Sequence, residues 1–111
     1  MTGNRFQAMA GRTARSDLDW QGRMIEGALG LAGEAGEVID IIKKLIYQDH
    51  PFDEAARNGI EEELGDMFWY AAQIATACGL RLDDIMRANL RKLEERYLNG
   101  FEPDRSIRRI K

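Results

Sequence analysis

Two stretches of this chain carry acidic residues on the side of a helix where apolar residues belong. With Glu34 at the origin of a helical wheel and about 100° per residue, Val38, Ile41 and Leu45 fall within about 40° of it and Glu37 within about 60°. The same construction from Glu63 puts Met67, Tyr70 and Ile74 within about 40° and Asp66 within about 60°. An acid, a second acid three residues on, and an apolar stripe along the same face thus occur twice. Glu61 and Glu62 fall instead on the solvated arc. Inward carboxylates repel one another, and each buried ion costs several kcal/mol unless compensated. The compensation is either buried lysine and arginine or bound cations.

The rest of the chain reads as helix with few breaks. Spacings of three and four dominate, and Asn58-Gly59 is flanked by helix-type sequence rather than by alternating strand residues. A short first helix is expected from Asn4 to Ala14. Ser16 is the expected cap of a second helix, with Asp19 as its capping-box acid, running from about Asp17 to Gln48. Asp49-His50-Pro51 ends it, because proline lacks an N–H and disfavours a helical residue before it. A third helix starts at Asp53 or after Gly59 and reaches about Ala77, with Gly79 as the stop. Asp83 is the expected cap of a fourth helix that reaches about Leu98 and is closed by Asn99-Gly100. Gly27, Gly30, Gly33 and Gly36 recur every three residues but form no phosphate loop, since no strand precedes them. They imply a close helix crossing or a hinge.

With 111 residues the expectation is one all-α domain over 1–111, with 1–16 an N-terminal arm or short helix and 102–111 a tail. The net charge of -3 gives no general cationic surface for a nucleic-acid backbone. The single cysteine, Cys78, excludes an intramolecular disulfide framework, and with one histidine it makes a zinc site improbable. No run of about 18 uncharged apolar residues spans a membrane, and no apolar segment follows the basic N-terminus as in a secretory signal. A cytoplasmic protein is the expectation.

An i, i+3 acid pair can aim two oxygens at one point above a helix. Two such helices face to face make an all-oxygen cage, which favours Mg²⁺ or Mn²⁺ over zinc or copper. The candidate ligands are Glu34, Glu37, Glu63 and Asp66. On the fourth helix Asn89, Lys92 and Arg96 share one face beside Leu93. An amide, an ammonium and a guanidinium fork are suited to the oxygens of a polyphosphate.

Glu34-Ala-Gly-Glu37, then 25 residues, then Glu63-Leu-Gly-Asp66 resembles the ExxE…ExxD signature of the MazG-like, all-α nucleoside triphosphate pyrophosphohydrolases. The run from Asn89 to Tyr97, followed by Asn99-Gly-Phe101, is similar to the family's third element. Phe6-Gln7 and Arg12-Thr13 also look like the start of some members. Leu98 stands where many relatives carry proline, at the end of the helix rather than in the chemistry. The resemblance implies a four-helix-bundle fold whose core is completed by oligomerisation, as a homodimer or homotetramer. It implies hydrolysis of a (deoxy)nucleoside triphosphate to a monophosphate and pyrophosphate with Mg²⁺. Glu34, Glu37, Glu63 and Asp66 would be metal ligands, and Asn89 and Lys92 would contact phosphate, with Arg96 and Tyr97 nearby.

On that reading Glu37 or Glu63 serves as the base for the attacking water. Lys92 and Arg96 stabilise charge on the leaving pyrophosphate. Trp20 and Tyr97 are candidates for contact with the nucleobase, although aromatic residues at helical spacing more often pack in a core. Lys43 and Lys44 read as solvated charge, His50 as a loop residue, and Arg105, Arg108, Arg109 and Lys111 as a basic tail. Two rivals fit the same residues. One is a related pyrophosphohydrolase acting on a substrate such as phosphoribosyl-ATP. The other is a helical dimerisation or regulatory module without turnover, which has no reason to keep four inward acids.

Overall fold

A computed structural model describes residues 1–98, 100 and 103–108. Helix α1 (Gly3–Gly11) is capped by Thr2, whose hydroxyl accepts from the Arg5 N–H at 3.0 Å. It starts one residue before the expected Asn4 and stops short of Ala14. The Ala10 carbonyl accepts from the N–H and the hydroxyl of Thr13, and this turn ends the helix.

Helix α2 (Trp20–Tyr47) starts three residues later than the sequence pattern predicts, and Ser16 is not its cap. Asp17 instead pairs with Arg15 at 2.7 Å, and Asp19 caps the helix, its carboxylate accepting from the Gly22 N–H at 2.7 Å. Beyond Tyr47 the chain turns through Asp49 at φ 53°, a left-handed conformation that aspartate tolerates better than most residues. Helix α3 (Glu54–Ala77) takes the earlier of the two expected starts, with the Asp53 carboxylate accepting from Ala56 N–H at 2.9 Å. Gly59 therefore lies inside the helix. Gly79, at φ 71°, is the stop, as its sequence position implied.

Helix α4 (Leu82–Arg96) begins one residue before Asp83 and ends two before Leu98. Arg81 holds its cap position and offers no side-chain bond. The caps come from α1, which a reading of local sequence does not reveal. The Gln7 Oε1 accepts from Leu82 N–H at 2.8 Å and the Asn4 Oδ1 accepts from Asp83 N–H at 3.1 Å. Where a tail was expected there is a short helix, α5 (Pro103–Ile107), with proline at its first position. Arg108 pairs with Asp104 at 3.2 Å. Asn99, Phe101 and the side chains of Arg105, Arg109 and Lys111 lie outside the described residues.

The molecule is all-α, with no strand among the described residues. Helices α2 and α3 pack antiparallel along much of their length: Gly27 meets Ile74, Gly30 meets the Tyr70 ring, and Gly59 meets Ile41. The glycine run thus marks a close crossing at Gly27 and Gly30, where a Cβ would collide with Ile74 or Tyr70. At Gly33 and Gly36 nothing lies within 4 Å of that position. Helix α1 crosses α3. Gln73 Nε2 donates to Ala10 O at 3.2 Å, Trp69 Nε1 donates to Thr13 Oγ1 at 2.8 Å, and Phe6 meets Phe68 edge-on.

One chain encloses little. Among the described residues the buried ones are small side chains and Gln73, while Ile25, Leu29, Ile39 and Ile46 on α2 are each more than 60% exposed. The radius of gyration is 17.0 Å, against about 13 Å for a compact domain of this length. A helical pair with α1 and α4 attached is what one chain supplies.

Candidate active site

The opposed stripes of α2 and α3 bring Glu34, Glu63 and Asp66 together. One carboxylate oxygen from each lies within 4.8 Å of the others. Glu34 and Glu63 are half-buried and Asp66 is exposed. Glu37, one turn further along α2, is exposed and stands outside this trio. None of the four acids forms an ion pair with a described residue. Lys44 feels the charge of Glu37 at longer range, but no basic side chain among the described residues pairs with Glu34, Glu63 or Asp66.

The trio is electrostatically strained without a cation. The Glu63 carboxyl is pushed above the usual range, first by a hydrogen bond with Glu34, then by partial burial, then by the charges of Glu34 and Asp66. Two carboxyl groups close enough to bond to each other share a proton or share a cation. The donor set fits a hard divalent ion. Oxygens around Mg²⁺ sit about 2.1 Å from it, hence at most about 4.2 Å apart, and a small rotamer adjustment brings a 4.8 Å trio into that range.

Next to the acids, one turn along, the Tyr70 ring rests on the backbone of Gly30, and Trp69 meets Tyr70 edge-on with centroids 5.2 Å apart. Sequence reasoning placed Tyr70 on this face but did not pair it with Gly30; the three-residue glycine period was the signal. Asp40 engages both nearby lysines, Lys43 at 3.2 Å and Lys44 at 2.9 Å. Hydrogen bonds from Lys44 and Lys43 hold the Asp40 carboxyl below its ordinary range, and Asp40 in turn raises Lys44. The reading of these lysines as surface charge stands.

The other candidates are not gathered at the acids in one chain. Asn89 and Lys92 are exposed, Arg96 and Tyr97 are half-buried, and α4 packs chiefly on α1. No hydrogen bond or ion pair among the described residues joins Asn89, Lys92 or Arg96 to the four acids. Trp20 is the first residue of α2, 60% exposed, and about 21 Å along the axis from Glu34. A hollow of about 900 Å³ lies along another side of α3, lined by Phe52, Arg57, Leu64 and Phe68, and none of the acids borders it.

Comparison with known proteins decides the family. The family model described as the MazG nucleotide pyrophosphohydrolase domain matches residues 26–101, well over half the chain. The chain belongs to this MazG family. The matched segment holds all four acids and the α4 residues Asn89, Lys92 and Arg96, and it leaves out α1. The Gene 37 protein of Mycobacterium phage L5 is 38% identical over 73 residues, which cover 65% of this chain. The match spans 64% of that phage protein, just under two thirds of its length. No solved structure matches. The MazG assignment agrees with the all-α architecture and with an acidic cluster suited to a divalent metal. Among the described residues no helix is long and apolar enough to cross a membrane.

Proposed function

We propose that the chain, acting as one domain over 1–111, hydrolyses a nucleoside or deoxynucleoside triphosphate to the monophosphate and pyrophosphate. The observation that carries this reading is the meeting of Glu34, Glu63 and Asp66 without a basic partner, inside the segment that matches the MazG family. Glu34, Glu63 and Asp66 would hold Mg²⁺, or Mn²⁺ in its place, and Glu37 would offer a fourth carboxylate. An ion bound there would supply positive charge against the triphosphate and Lewis acidity at the linkage to be broken.

The chain's own groups do the rest. Net reaction adds one water across the bridge between the α- and β-phosphates. Glu37 takes the proton from the attacking water, because it stands outside the crowded trio. Glu63 is the alternative base. Asn89, Lys92 and Arg96 hold phosphate oxygens, and the two cations offset charge on the leaving pyrophosphate. Trp20 and Tyr97 flank the nucleobase. The setting is the cytoplasm, where triphosphates and Mg²⁺ are plentiful.

The separation of α4 and Trp20 from the acids makes self-association part of the proposal, as a homodimer or homotetramer. The outward face of α2 supports it. Ile25, Leu29, Ala32, Gly36, Ile39, Lys43 and Ile46 follow alternating steps of four and three, the period of a helix–helix seam. A helix apolar on nearly all sides is normally enclosed.

The test is pyrophosphate release, measured with a coupled pyrophosphatase across standard and modified triphosphates and phosphoribosyl-ATP. Turnover on a nucleoside triphosphate, lost in Glu37→Gln and Asp66→Asn with helical circular dichroism intact, is the expected result. Turnover confined to phosphoribosyl-ATP reassigns the substrate. No turnover with Mg²⁺ or Mn²⁺ on any of them favours a non-catalytic helical module.

A further inference from the structure

Helix α4 has an unusual attachment. Residues from Asp84 to Glu95 are all exposed, and Ile85, Met86, Leu90 and Leu93 cover no core in the single chain. Its main packing neighbour is α1. Helix N-termini need partners for their first N–H groups, and α4 has none from its own cap residue. Two α1 side chains supply them. Gln7 accepts from Leu82 N–H and, through its Nε2, donates to Leu80 O at 2.9 Å and Thr76 Oγ1 at 3.0 Å. Asn4 accepts from Asp83 N–H, while Asn4 N–H donates to Asp83 Oδ1 at 3.3 Å. Each helix thus caps the other, and Gly3 lets them approach, its missing Cβ leaving room for Met86 and Asp83.

The geometry points to Asn4 and Gln7 as positioning residues that set the angle at which α4 leaves the α2–α3 pair. This rests on the hydrolase reading, in which Asn89, Lys92 and Arg96 hold phosphate. Lys92 lies about 15 Å along the axis from Leu82, so a 5° change at the joint moves it by about 1.3 Å. Misplacement of about 1 Å at a reacting centre can cost on the order of 100-fold in rate. Gln7 is the stronger brace, since it ties the end of α3, the turn and the start of α4 in one contact set. Both residues lie in α1, outside the segment that matches the MazG family.

The experiment compares wild type with Gln7→Met, Asn4→Ala, the double variant and Gln7→Glu. Gln7→Glu keeps an oxygen for Leu82 N–H at a helix N-terminus that favours negative charge but loses the two bonds that Nε2 donates to Leu80 O and Thr76 Oγ1, so it retains the cap and drops the rest of the brace. Steady-state pyrophosphate release on the best triphosphate is read beside Mn²⁺ affinity and helical circular dichroism. The expected result is a fall of at least about tenfold in kcat/KM for the folded double variant, Mn²⁺ affinity within twofold of wild type, and a smaller fall in Gln7→Glu, which keeps one of the three bonds, than in Gln7→Met, which keeps none. A folded double variant with kcat/KM within twofold of wild type overturns the proposal. So does a parallel loss of Mn²⁺ affinity, which marks general damage. If the double variant does not fold, Gln7→Met against Gln7→Glu decides by the same criteria. A wild type without turnover on any triphosphate fails the hydrolase reading and this proposal together; an active wild type with unaffected variants fails the brace alone.

Discussion

Alanine at Gly30 and at Gly33 should have opposite effects on stability, although both sit inside α2 one turn apart. Each change gains about 1 kcal/mol in helix propensity, because glycine loses more backbone freedom than alanine. At Gly33 nothing lies within 4 Å of the new methyl group. Gly33→Ala should therefore stabilise by close to that amount, an increase of about 4 °C in Tm for a domain of this size. At Gly30 the methyl would enter the Tyr70 ring. Overpacking of a tight contact costs about 1–3 kcal/mol, which cancels or exceeds the propensity gain. The two variants should thus differ by about 1–3 kcal/mol, or roughly 5- to 150-fold in the folded-to-unfolded ratio. Urea unfolding followed by circular dichroism at 222 nm measures this directly. Displacing Tyr70 also moves α3 one turn from Asp66, so Gly30→Ala should weaken Mn²⁺ binding while Gly33→Ala leaves it alone. Equal stability of the two variants would refute the close crossing of α2 and α3 at Gly30.

Three further outcomes follow from particular contacts. Gln73 is 2% exposed and its Oε1 has no hydrogen-bond partner, whereas Ala10 O keeps its bonds from Thr13 if Gln73 is lost. Gln73→Met should therefore be neutral or stabilise by up to about 2 kcal/mol in thermal unfolding, since a buried orphan acceptor costs about 1–3 kcal/mol; a loss of more than that would contradict it. The raised Glu63 carboxyl favours the folded, ion-free state below the ordinary carboxylate pKa, and this advantage is lost as pH rises through the raised value. The Tm of wild type relative to Glu63→Gln should accordingly decline across that window without metal, and Mn²⁺ should abolish the decline; a relative Tm that climbs with pH would reverse the sign. Ile39→Glu, on the exposed α2 seam, should shift the sedimentation profile toward smaller species without loss of helicity; an unchanged profile places the subunit contact elsewhere.

The sequence carried the helices because their signals are local and periodic. The stripes through Glu34 and Glu63, the Asp49-Pro51 break and the Gly79 stop all act within a few residues. The errors fell where a local motif had a competitor. Ser16 resembles a cap, but Arg15 draws Asp17 into an ion pair and leaves Asp19 to bond Gly22. Asp83 resembles the cap of α4, yet its side chain serves α1, and Asn4 and Gln7 reach across nearly the whole chain to serve α4. No window of sequence shows a bond spanning more than seventy residues. Three of the four expected acids converge, because their faces follow from helix geometry alone. Glu37 stands apart because the antiparallel crossing, which sets how far each helix slides past the other, is a property of the pair. How α4 would reach the acids was not legible either, since no hydrogen bond or ion pair among the described residues joins Asn89, Lys92 or Arg96 to them.

The carboxylates between α2 and α3 are where a divalent ion would bind. Electron paramagnetic resonance of Mn²⁺, titrated with protein at neutral pH, reports binding without any assumption about substrate. Saturable loss of the free-ion signal is expected for wild type and for Glu61→Gln and Glu62→Gln. Glu34→Gln, Glu63→Gln and Asp66→Asn should each weaken binding by tenfold or more, on the order expected when a ligand or its partner is removed from a metal site. Binding that is equal across all six proteins, or absent from all of them, would contradict the claim.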